Sequence, residues 1–492
     1  MFLKNFSFLS VANLFVSLLA FVTIPFLVNI FGPETYAIIA FYLAFQTWLV
    51  IFDAGFSPTI IRYLSSILIS FSKDSAFKKS VVEFSSTYRT LFAVIGILIF
   101  LISSVFFIYF ESFDKYISNK TYLLPIFISA IAGIRFYVTI EKAIYKASEN
   151  FITLAKLDIL FASLRYFFVV PFVMIFSEIR FYFIFQLIVS IIEIITYRYG
   201  HINILRKYLL PSSKSLIILK ENFSFFSLSA IAGIGWLMIV SLDKFFLFGN
   251  IPASIYTGYS ILFQIAGICL IIMSPISAIL QPRVVSIFES YGTKKLIHFL
   301  KDANLLVLII VSSILLSLLV LFPLIFNIWT GQEFTDIYET LFIFFLFGYA
   351  LSALGLISYL FQFCIKNLRV HSFSHIISLL IYAPIVFHFS NEQGLQLIAF
   401  SWLFVTFFIS QVCALYVFSK QIGIYKSLRI YIPVWITLIL IFSYSKFINS
   451  FFSDNIFMKL VMLTLFLILA SVTIFKIWKS FKIMWLNKLK IS

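Results

Sequence analysis

The most constraining feature of this 492-residue sequence is a series of long apolar segments separated by short polar breaks. A helix that crosses the hydrocarbon core of a bilayer needs about 20 mostly apolar residues. The whole chain is 62% hydrophobic and only 11% charged, and its mean hydropathy is +1.07. A soluble domain of this size would need far more polar surface to face water. The sequence therefore predicts an integral membrane protein.

About fourteen of these segments are long and apolar enough to span a bilayer. The first follows Lys4 and is too long for the apolar region of a cleaved signal peptide. A polar connector at residues 200–221 separates the sixth segment from the seventh. The predicted fold class is an all-α integral membrane protein with about 14 transmembrane helices. The predicted spans are 8–30, 36–60, 90–110, 121–141, 154–176, 181–199, 223–248, 254–281, 303–329, 338–365, 371–389, 396–418, 429–447 and 456–476.

The Lys and Arg residues alternate across these spans. About 29 of the 36 lie at the two termini or in even-numbered breaks, whereas the odd-numbered breaks hold only Lys115, Lys120, Arg180 and Lys446. Cytoplasmic connectors of membrane proteins carry such an excess of positive residues. The pattern predicts a multi-pass membrane protein with both termini in the cytoplasm. It also explains the net charge of +16 without a nucleic-acid partner.

The connectors leave little room for a catalytic domain. The external connectors are short and neutral to acidic, as at residues 331–339. A membrane-embedded polysaccharide polymerase or ligase would need a sizeable external loop or a buried acid–base constellation. The sequence has no P-loop, no glycine-rich nucleotide loop and no nucleophile elbow. His371 and His375 would share a helix face, but two ligands do not make a zinc site. We expect no enzyme activity, no metal and no cofactor.

A weak internal repeat predicts how the helices are grouped. Residues 31–46 begin Phe-Gly-Pro and end Phe-Gln, and residues 248–264 begin Phe-Gly-Asn and end Phe-Gln. The repeat predicts an N-terminal lobe at 1–210, a C-terminal lobe at 211–420 and a trailing helix pair with a basic tail at 421–492, with the substrate path between the lobes. A second match, Ser-Ala-Ile-Ala-Gly at 129–133 and at 229–233, falls in helices that do not correspond. It is more typical of two small-residue packing faces.

Charged residues within or beside the spans are the candidate functional residues. A charge at mid-bilayer costs about 2.5–3.5 kcal/mol on insertion scales, so it should face a cavity or a partner. The cations predict a positively charged cavity that binds a phosphate or a sugar carboxylate, and the carboxylates are candidates for coupling to a proton or sodium ion. The cations are Arg62, Arg135, Lys142, Arg165, Lys244 and Arg283, and the carboxylates are Asp53, Asp158, Glu193 and Asp243.

Arg165 and Lys244 are the strongest of these candidates because both lie far from the predicted breaks. Arg165 could instead pair with Asp158, about two turns away, or with another helix. Lys244 could pair with Asp243, although adjacent residues point about 100° apart on a helix and this favours partners elsewhere. The other four cations lie near the predicted cytoplasmic boundary. They could be topology anchors whose apolar stems reach along the helix to the interface.

Three segments carry a resemblance to a known family. The first helix ends Ile-Pro-Phe-Leu-Val-Asn-Ile-Phe-Gly-Pro-Glu-Thr-Tyr at 24–36, and residues 53–65 read Asp-Ala-Gly-Phe-Ser-Pro-Thr-Ile-Ile-Arg-Tyr-Leu-Ser. Residues 243–249 read Asp-Lys-Phe-Phe-Leu-Phe-Gly. With fourteen spans and cytoplasmic termini, the chain resembles the polysaccharide-export branch of the multidrug/oligosaccharidyl-lipid/polysaccharide exporter superfamily, and particularly the O-antigen flippases.

The resemblance implies two six-helix lobes around a central cationic cavity, plus a C-terminal helix pair. It implies an oligosaccharide on undecaprenyl pyrophosphate as substrate, carried across the inner membrane by alternating access for O-antigen or lipopolysaccharide synthesis. Membrane lipids, a polysaccharide polymerase and a chain-length regulator would be its partners. Asp53, Arg62, Asp243 and Lys244 lie on the matching motifs.

Two other transport functions of the same superfamily remain open at this point. One is the flipping of lipid II, and the other is the export of drugs or cations. A cationic cavity argues against cationic drugs. A polymerase or ligase is a further alternative from a different class, which the short external connectors disfavour.

Overall fold

The computed structural model describes residues 2–53, 57, 75–109, 123–148, 150–199, 223–330, 335–365, 368–452 and 455–489. All regular secondary structure in these ranges is helical, which confirms the predicted fold class. Twelve helices of the described part are long and apolar enough to cross a membrane, in a count that keeps Phe15–Leu49 as one helix. The chain is therefore a multi-pass membrane protein.

The helices follow one another with short connections. In chain order they are α1 (Phe2–Asp53), α2 (Ser75–Ile108), α3 (Leu123–Ala147), α4 (Phe151–Ala162), a π-helical segment (Ser163–Phe168), α5 (Val169–Phe176), α6 (Ile179–Tyr199), α7 (Phe223–Leu247), α8 (Ala253–Ala266), α9 (Ile268–Thr330), α10 (Asp336–Cys364), α11 (Arg369–His388), a 3₁₀ turn (Glu392–Gly394), α12 (Leu395–Phe407), a second π-helical segment (Phe408–Val412), α13 (Cys413–Ile422), α14 (Ile424–Phe451) and α15 (Ile456–Leu489).

Single glycines divide the two longest helices. Gly32 in α1 has φ 75° and ψ 160°, and Gly292 in α9 has φ 71° and ψ −175°. Only glycine adopts this backbone region readily, and one such residue ends one helix while the next begins. When α1 and α9 are divided there, helices that run on through a π segment are joined, and α8 is joined across Gly267 to the first part of α9, the described residues form the fourteen helices that the hydropathy predicts.

The chain divides into two compact units. Unit 1 contains residues 1–260 and 386–392, and unit 2 contains residues 261–385 and 393–492. Within unit 1, α3 packs between α2 and α6, while α1 packs on α4 and α7. Within unit 2, α10 packs on α9 and α12, and α9 also packs on α14 and α15. The lobe boundaries inferred from the internal repeat stay a prediction.

A close helix crossing in unit 1 joins α2 to α3. A Cβ added to Gly133 would lie 2.5 Å from the backbone oxygen of Gly96, and one added to Gly96 would lie 2.8 Å from that of Gly133. Phe92 and Phe136 stack one turn away, with ring centroids 4.9 Å apart. The small-residue packing face predicted at residues 129–133 is confirmed. The identical pentapeptide at 229–233 does not show the same close packing at its glycine, because no described atom of a neighbouring element lies within 4 Å of a Cβ built on Gly233.

Unit 2 is built around the fully buried Trp402 on α12. Its ring packs against Phe263 on α8 and Tyr349 on α10, with centroids 5.2 and 4.8 Å away. The ring also lies over Gly348, where an added Cβ would be 2.0 Å from a ring carbon. Large aromatic surfaces against a bare glycine maximise dispersion contacts, which stabilise helix association in lipid in place of the hydrophobic effect.

Candidate functional site

Seven of the ten candidate residues have side chains within the described part of the chain. Arg62 lies outside the described residues, and for Asp53 and Arg283 only the backbone is described. Of the seven, five come together inside unit 1, contributed by α3, α4, α6 and the first π segment. These five are Arg135, Lys142, Asp158, Arg165 and Glu193. We refer to them as the charge cluster.

The centre of the charge cluster is an ion pair between Arg165 and Glu193. The Arg165 Nη2 atom lies 2.5 Å from Glu193 Oε2, and each side chain is only 5% exposed. The same guanidinium donates to Gln186 Oε1 at 3.1 Å and to Ser190 Oγ at 3.0 Å. In a buried ion pair the remaining N–H donors must also be hydrogen-bonded, because the attraction between the two charges does not by itself offset the free energy of removing them from water. The contacts fix the Arg165 side chain against one face of α6.

The backbone around Arg165 is held in place by side chains from two other helices. A π turn widens the helix and weakens its regular bonding, and Pro171, early in α5, has no N–H to bond to the preceding turn. Two carbonyls of the segment accept side-chain hydrogen bonds: Arg165 O accepts from Gln186 Nε2, and Tyr166 O accepts from Thr23 Oγ1, each at 3.0 Å. The π segment is therefore anchored to α6 and α1 at the residue that carries the buried guanidinium.

Lys142 joins the centre of the cluster to α4. Its Nζ lies 2.7 Å from Asp158 Oδ1 and 3.5 Å from Glu193 Oε1. Tyr197 donates to the same Asp158 oxygen at 2.8 Å, and its ring lies 5.3 Å from the ammonium group. Lys142 is about a third exposed, so it forms the more accessible edge of the cluster.

Arg135 is the member of the cluster without a carboxylate at ion-pair distance among the described residues. It lies close enough to Tyr42, Tyr166 and Glu193 for electrostatic interaction. The cluster contains three cations and two carboxylates, so it carries one uncompensated positive charge. In the low-dielectric interior of a membrane protein such a charge attracts an anion far more strongly than it would in water. The cluster is therefore chemically suited to bind an anionic ligand at Arg135.

Asp243 and Lys244 form a separate, neutral pair. The Lys244 Nζ atom lies 3.0 Å from both Asp243 oxygens, donates to Val240 O at 2.7 Å, and is almost fully buried. Tyr259 donates to Asp243 Oδ2 at 2.5 Å. Helix geometry favoured partners elsewhere, and Tyr259 on α8 is such a partner of Asp243, but the two neighbours also pair directly with each other. The long lysine stem folds back along its own helix, so the 100° angular separation does not prevent contact.

Sequence reasoning missed another buried ion pair in unit 1. Arg89 on α2 binds Glu141 on α3 through two parallel hydrogen bonds of 2.9 and 2.7 Å, and Tyr137 donates to Glu141 Oε1 at 3.1 Å. Arg89 directly precedes the third predicted span, so the sequence alone places it in a cytoplasmic connector. The polar face of α6 was the clearer missed signal, since Gln186, Ser190, Glu193 and Tyr197 recur at helical spacing.

The histidine pair lies in unit 2. One ring nitrogen of His375 lies 2.7 Å from the backbone oxygen of His371, and the two rings pack edge to face with centroids 4.5 Å apart. His371 also lies beside the ring of Tyr359. These contacts are those of polar packing between α10 and α11.

Comparison with known proteins identifies the fold. No protein-family model matches the sequence, and no curated protein matches it. Among solved structures, the lipid II flippase MurJ in an inward closed conformation aligns with a TM-score of 0.69 and 18% identity, over 96% of this chain and 99% of that chain. An inward-facing multidrug resistance MATE transporter of the MOP superfamily aligns with a TM-score of 0.63 and 14% identity, over 85% and 94%.

A third solved structure is a MOP-superfamily transporter from Pyrococcus furiosus, whose binding pocket is described as having reverse polarity. It aligns with a TM-score of 0.55 and 15% identity, over 85% of this chain and 96% of that chain. MOP denotes the multidrug/oligosaccharidyl-lipid/polysaccharide exporters. The chain thus has the fold of MOP-superfamily transporters over nearly its whole length. At these identities the likeness establishes the fold, and the choice of substrate has to come from the residues.

Proposed function

We propose that this protein is a flippase that carries an oligosaccharide linked to undecaprenyl pyrophosphate across the bacterial inner membrane by alternating access. The sugar would be an O-antigen unit or a related surface-polysaccharide unit. The fold supports the proposal, because a lipid II flippase shares it over 96% of this chain. The observation that carries the proposal is the positive charge at Arg135 that no described carboxylate balances.

The physical requirement on such a protein is to lower the barrier for a polar head group. A sugar with many hydroxyl groups cannot enter hydrocarbon without losing its hydrogen bonds. Pyrophosphate adds negative charge, which a guanidinium binds through two parallel hydrogen bonds. An interior with a surplus positive charge and neighbouring tyrosine side chains offers both kinds of interaction.

The proposal assigns different roles to the candidate cations. Arg135 contacts the pyrophosphate or an acidic sugar. Arg165 and Lys142 are held by carboxylates, so they position the cluster and set its charge. Lys244, which is neutralised by its neighbour, together with Arg62 and Arg283, would extend the cationic path. Asp53, Asp158, Glu193 and Asp243 remain the candidates for coupling to a proton or sodium ion.

Lipid II is the second candidate substrate, because MurJ, a lipid II flippase, aligns over 99% of its length. Lipid II is also an anionic lipid-linked sugar, so the same surplus charge would serve it. Export of cationic drugs is disfavoured by that charge. Delivery of surface-polysaccharide units would in addition require a polymerase and a chain-length regulator as partners in the cell.

Arg135→Gln is expected to reduce translocation at least about tenfold while the protein still inserts. Hydrogen bonds to a charged group contribute about 1.5–3 kcal/mol, and their loss weakens anion binding by at least that factor. In cells that depend on the variant, lipid-linked units should accumulate on the cytoplasmic leaflet and surface polysaccharide should fall. Both are measured against the amount of protein in the membrane fraction.

The matched control is Arg180→Gln. Arg180 is also an arginine of unit 1, but it is half-exposed and pairs with Glu178 at the start of α6. This variant should translocate normally. Normal surface polysaccharide in cells with Arg135→Gln would overturn the proposed role of the surplus charge. Rescue of cells depleted of their own lipid II flippase would identify lipid II as the substrate instead.

A further inference from the structure

A second candidate site lies on unit 1, in a groove of about 390 Å³ formed by α2, α3 and α6. Its floor is the crossing of Gly96 and Gly133, where the missing side chains let the backbones meet and leave a trough above them. Ile97 and Ile194 line its walls. The groove is open along one side, and Ile97 is 59% exposed. None of the charge-cluster residues lines it.

The groove ends at a single cation. Arg198 lines it from the last turn of α6, is exposed, and forms no ion pair with a carboxylate of the described residues. The other polar side chain of the lining, Tyr137, lies close enough to Arg198 to interact electrostatically and has its own hydroxyl bonded to Glu141. The remaining lining is apolar or glycine. The site therefore combines an apolar trough with one positive charge at its mouth.

We infer that this groove binds an anionic phospholipid, with the upper part of one acyl chain in the trough and the phosphate at Arg198. The charge is complementary to a lipid phosphate, and basic sites between transmembrane helices attract anionic head groups. The mouth lies at the last turn of α6, next to the cytoplasmic connector that the sequence predicts after residue 199. The inference does not depend on the proposed transport function.

The length of the groove favours a resident phospholipid over a polyprenyl chain. The lining residues of α2 run from Ala93 to Phe100, and those of α3 run from Ala130 to Tyr137. Seven residues of helix advance about 10 Å, roughly a third of the hydrocarbon core. A trough of that length next to the interface holds the first part of an ordinary acyl chain. It is too short to follow a long polyprenyl chain across the membrane.

The test measures which lipids remain on the purified protein. The wild-type protein, extracted in mild detergent from membranes that contain phosphatidylglycerol and phosphatidylethanolamine, should retain phosphatidylglycerol when examined by native mass spectrometry. Arg198→Gln should reduce that retention about fivefold, as expected for loss of one cation near a lipid phosphate. Ala130→Leu, which fills the trough without changing charge, should reduce it as well.

Arg180→Gln is again the control, because Arg180 lies at the opposite end of the same helix and does not line the groove. Its retention of phosphatidylglycerol should equal that of the wild type. Equal retention by the wild type and Arg198→Gln overturns the inference. So does preferential retention of undecaprenyl phosphate or of the zwitterionic lipid. Should Ala130→Leu fail to fold, Arg198→Gln alone decides.

Discussion

Replacing Glu193 with Gln is expected to lower the free energy of unfolding by about 3–5 kcal/mol, because it removes one partner of a buried ion pair and leaves the other charged. The carboxylate of Glu193 lies within 4 Å of both Arg165 and Lys142. Its loss raises the net charge of the cluster from one to two. The wild type and the variant are unfolded by denaturant in mixed micelles, and the denaturant concentrations at their unfolding midpoints are compared.

The charge balance predicts an asymmetry between the two partners. Arg165→Gln reduces the net charge of the cluster to zero and leaves Glu193 near Lys142, so it should destabilise less than Glu193→Gln does. The double variant has the original net charge of one. Its destabilisation should be smaller than the sum of the two single effects, as expected for residues in direct contact.

An exposed ion pair provides the control for this experiment. Glu339 and Lys446 in unit 2 also form a contact of 2.5 Å, but their side chains are 41% and 50% exposed. Glu339→Gln should therefore cost less than about 1 kcal/mol. If Glu193→Gln is no more destabilising than Glu339→Gln, the ion pair contributes little to stability and the charge balance described for the cluster does not hold.

Gly133→Ala is expected to destabilise the protein by about 1–3 kcal/mol, near the upper end of that range. The new Cβ would lie 2.5 Å from the backbone oxygen of Gly96, and a backbone atom cannot rotate away as a side chain can. The helices α2 and α3 must separate, and the contacts along their crossing, including the stacked Phe92 and Phe136, loosen. Thermal unfolding in detergent measures the effect.

The sequence supplies a matched control for this substitution. Gly233 ends the same pentapeptide, Ser-Ala-Ile-Ala-Gly, but a Cβ built there has no described neighbour within 4 Å outside its own helix. Gly233→Ala should therefore be neutral, or stabilise α7 by up to about 1 kcal/mol because alanine loses less backbone conformational entropy than glycine when the helix forms. Equal effects of the two substitutions would contradict the role of the Gly96–Gly133 crossing.

The membrane spans could be predicted from sequence because hydropathy reports the solvent that surrounds each segment. Helix ends could not, since a helix does not have to stop at the edge of the bilayer. The third span was predicted to begin at residue 90, whereas α2 begins at Ser75, so its first turns carry Lys78 and Lys79 in a helix. The ninth was predicted to begin at residue 303, whereas its helix begins directly after Gly292.

The charge cluster could be predicted only in part. The cost of burying a charge identified Arg165, Glu193 and Asp158 as residues that need partners, and that requirement is general. Which residues pair depends on how helices pack, and α3, α4 and α6 come together through contacts that a single sequence does not reveal. The π segment at 163–168 was equally hidden, because it is stabilised by Thr23 and Gln186 on other helices.

Glycine is required at two kinds of position in this protein for opposite reasons. At Gly133 the objection to any other residue is space, because its Cβ would meet the backbone oxygen of Gly96. At Gly32 and Gly292 no atom of the described residues lies within 4 Å of an added Cβ, yet φ is 75° and 71°. The positive φ angle alone disfavours an L residue at these two positions. D-alanine introduced by chemical synthesis or semisynthesis should therefore be tolerated at Gly32 and Gly292, where L-alanine is not.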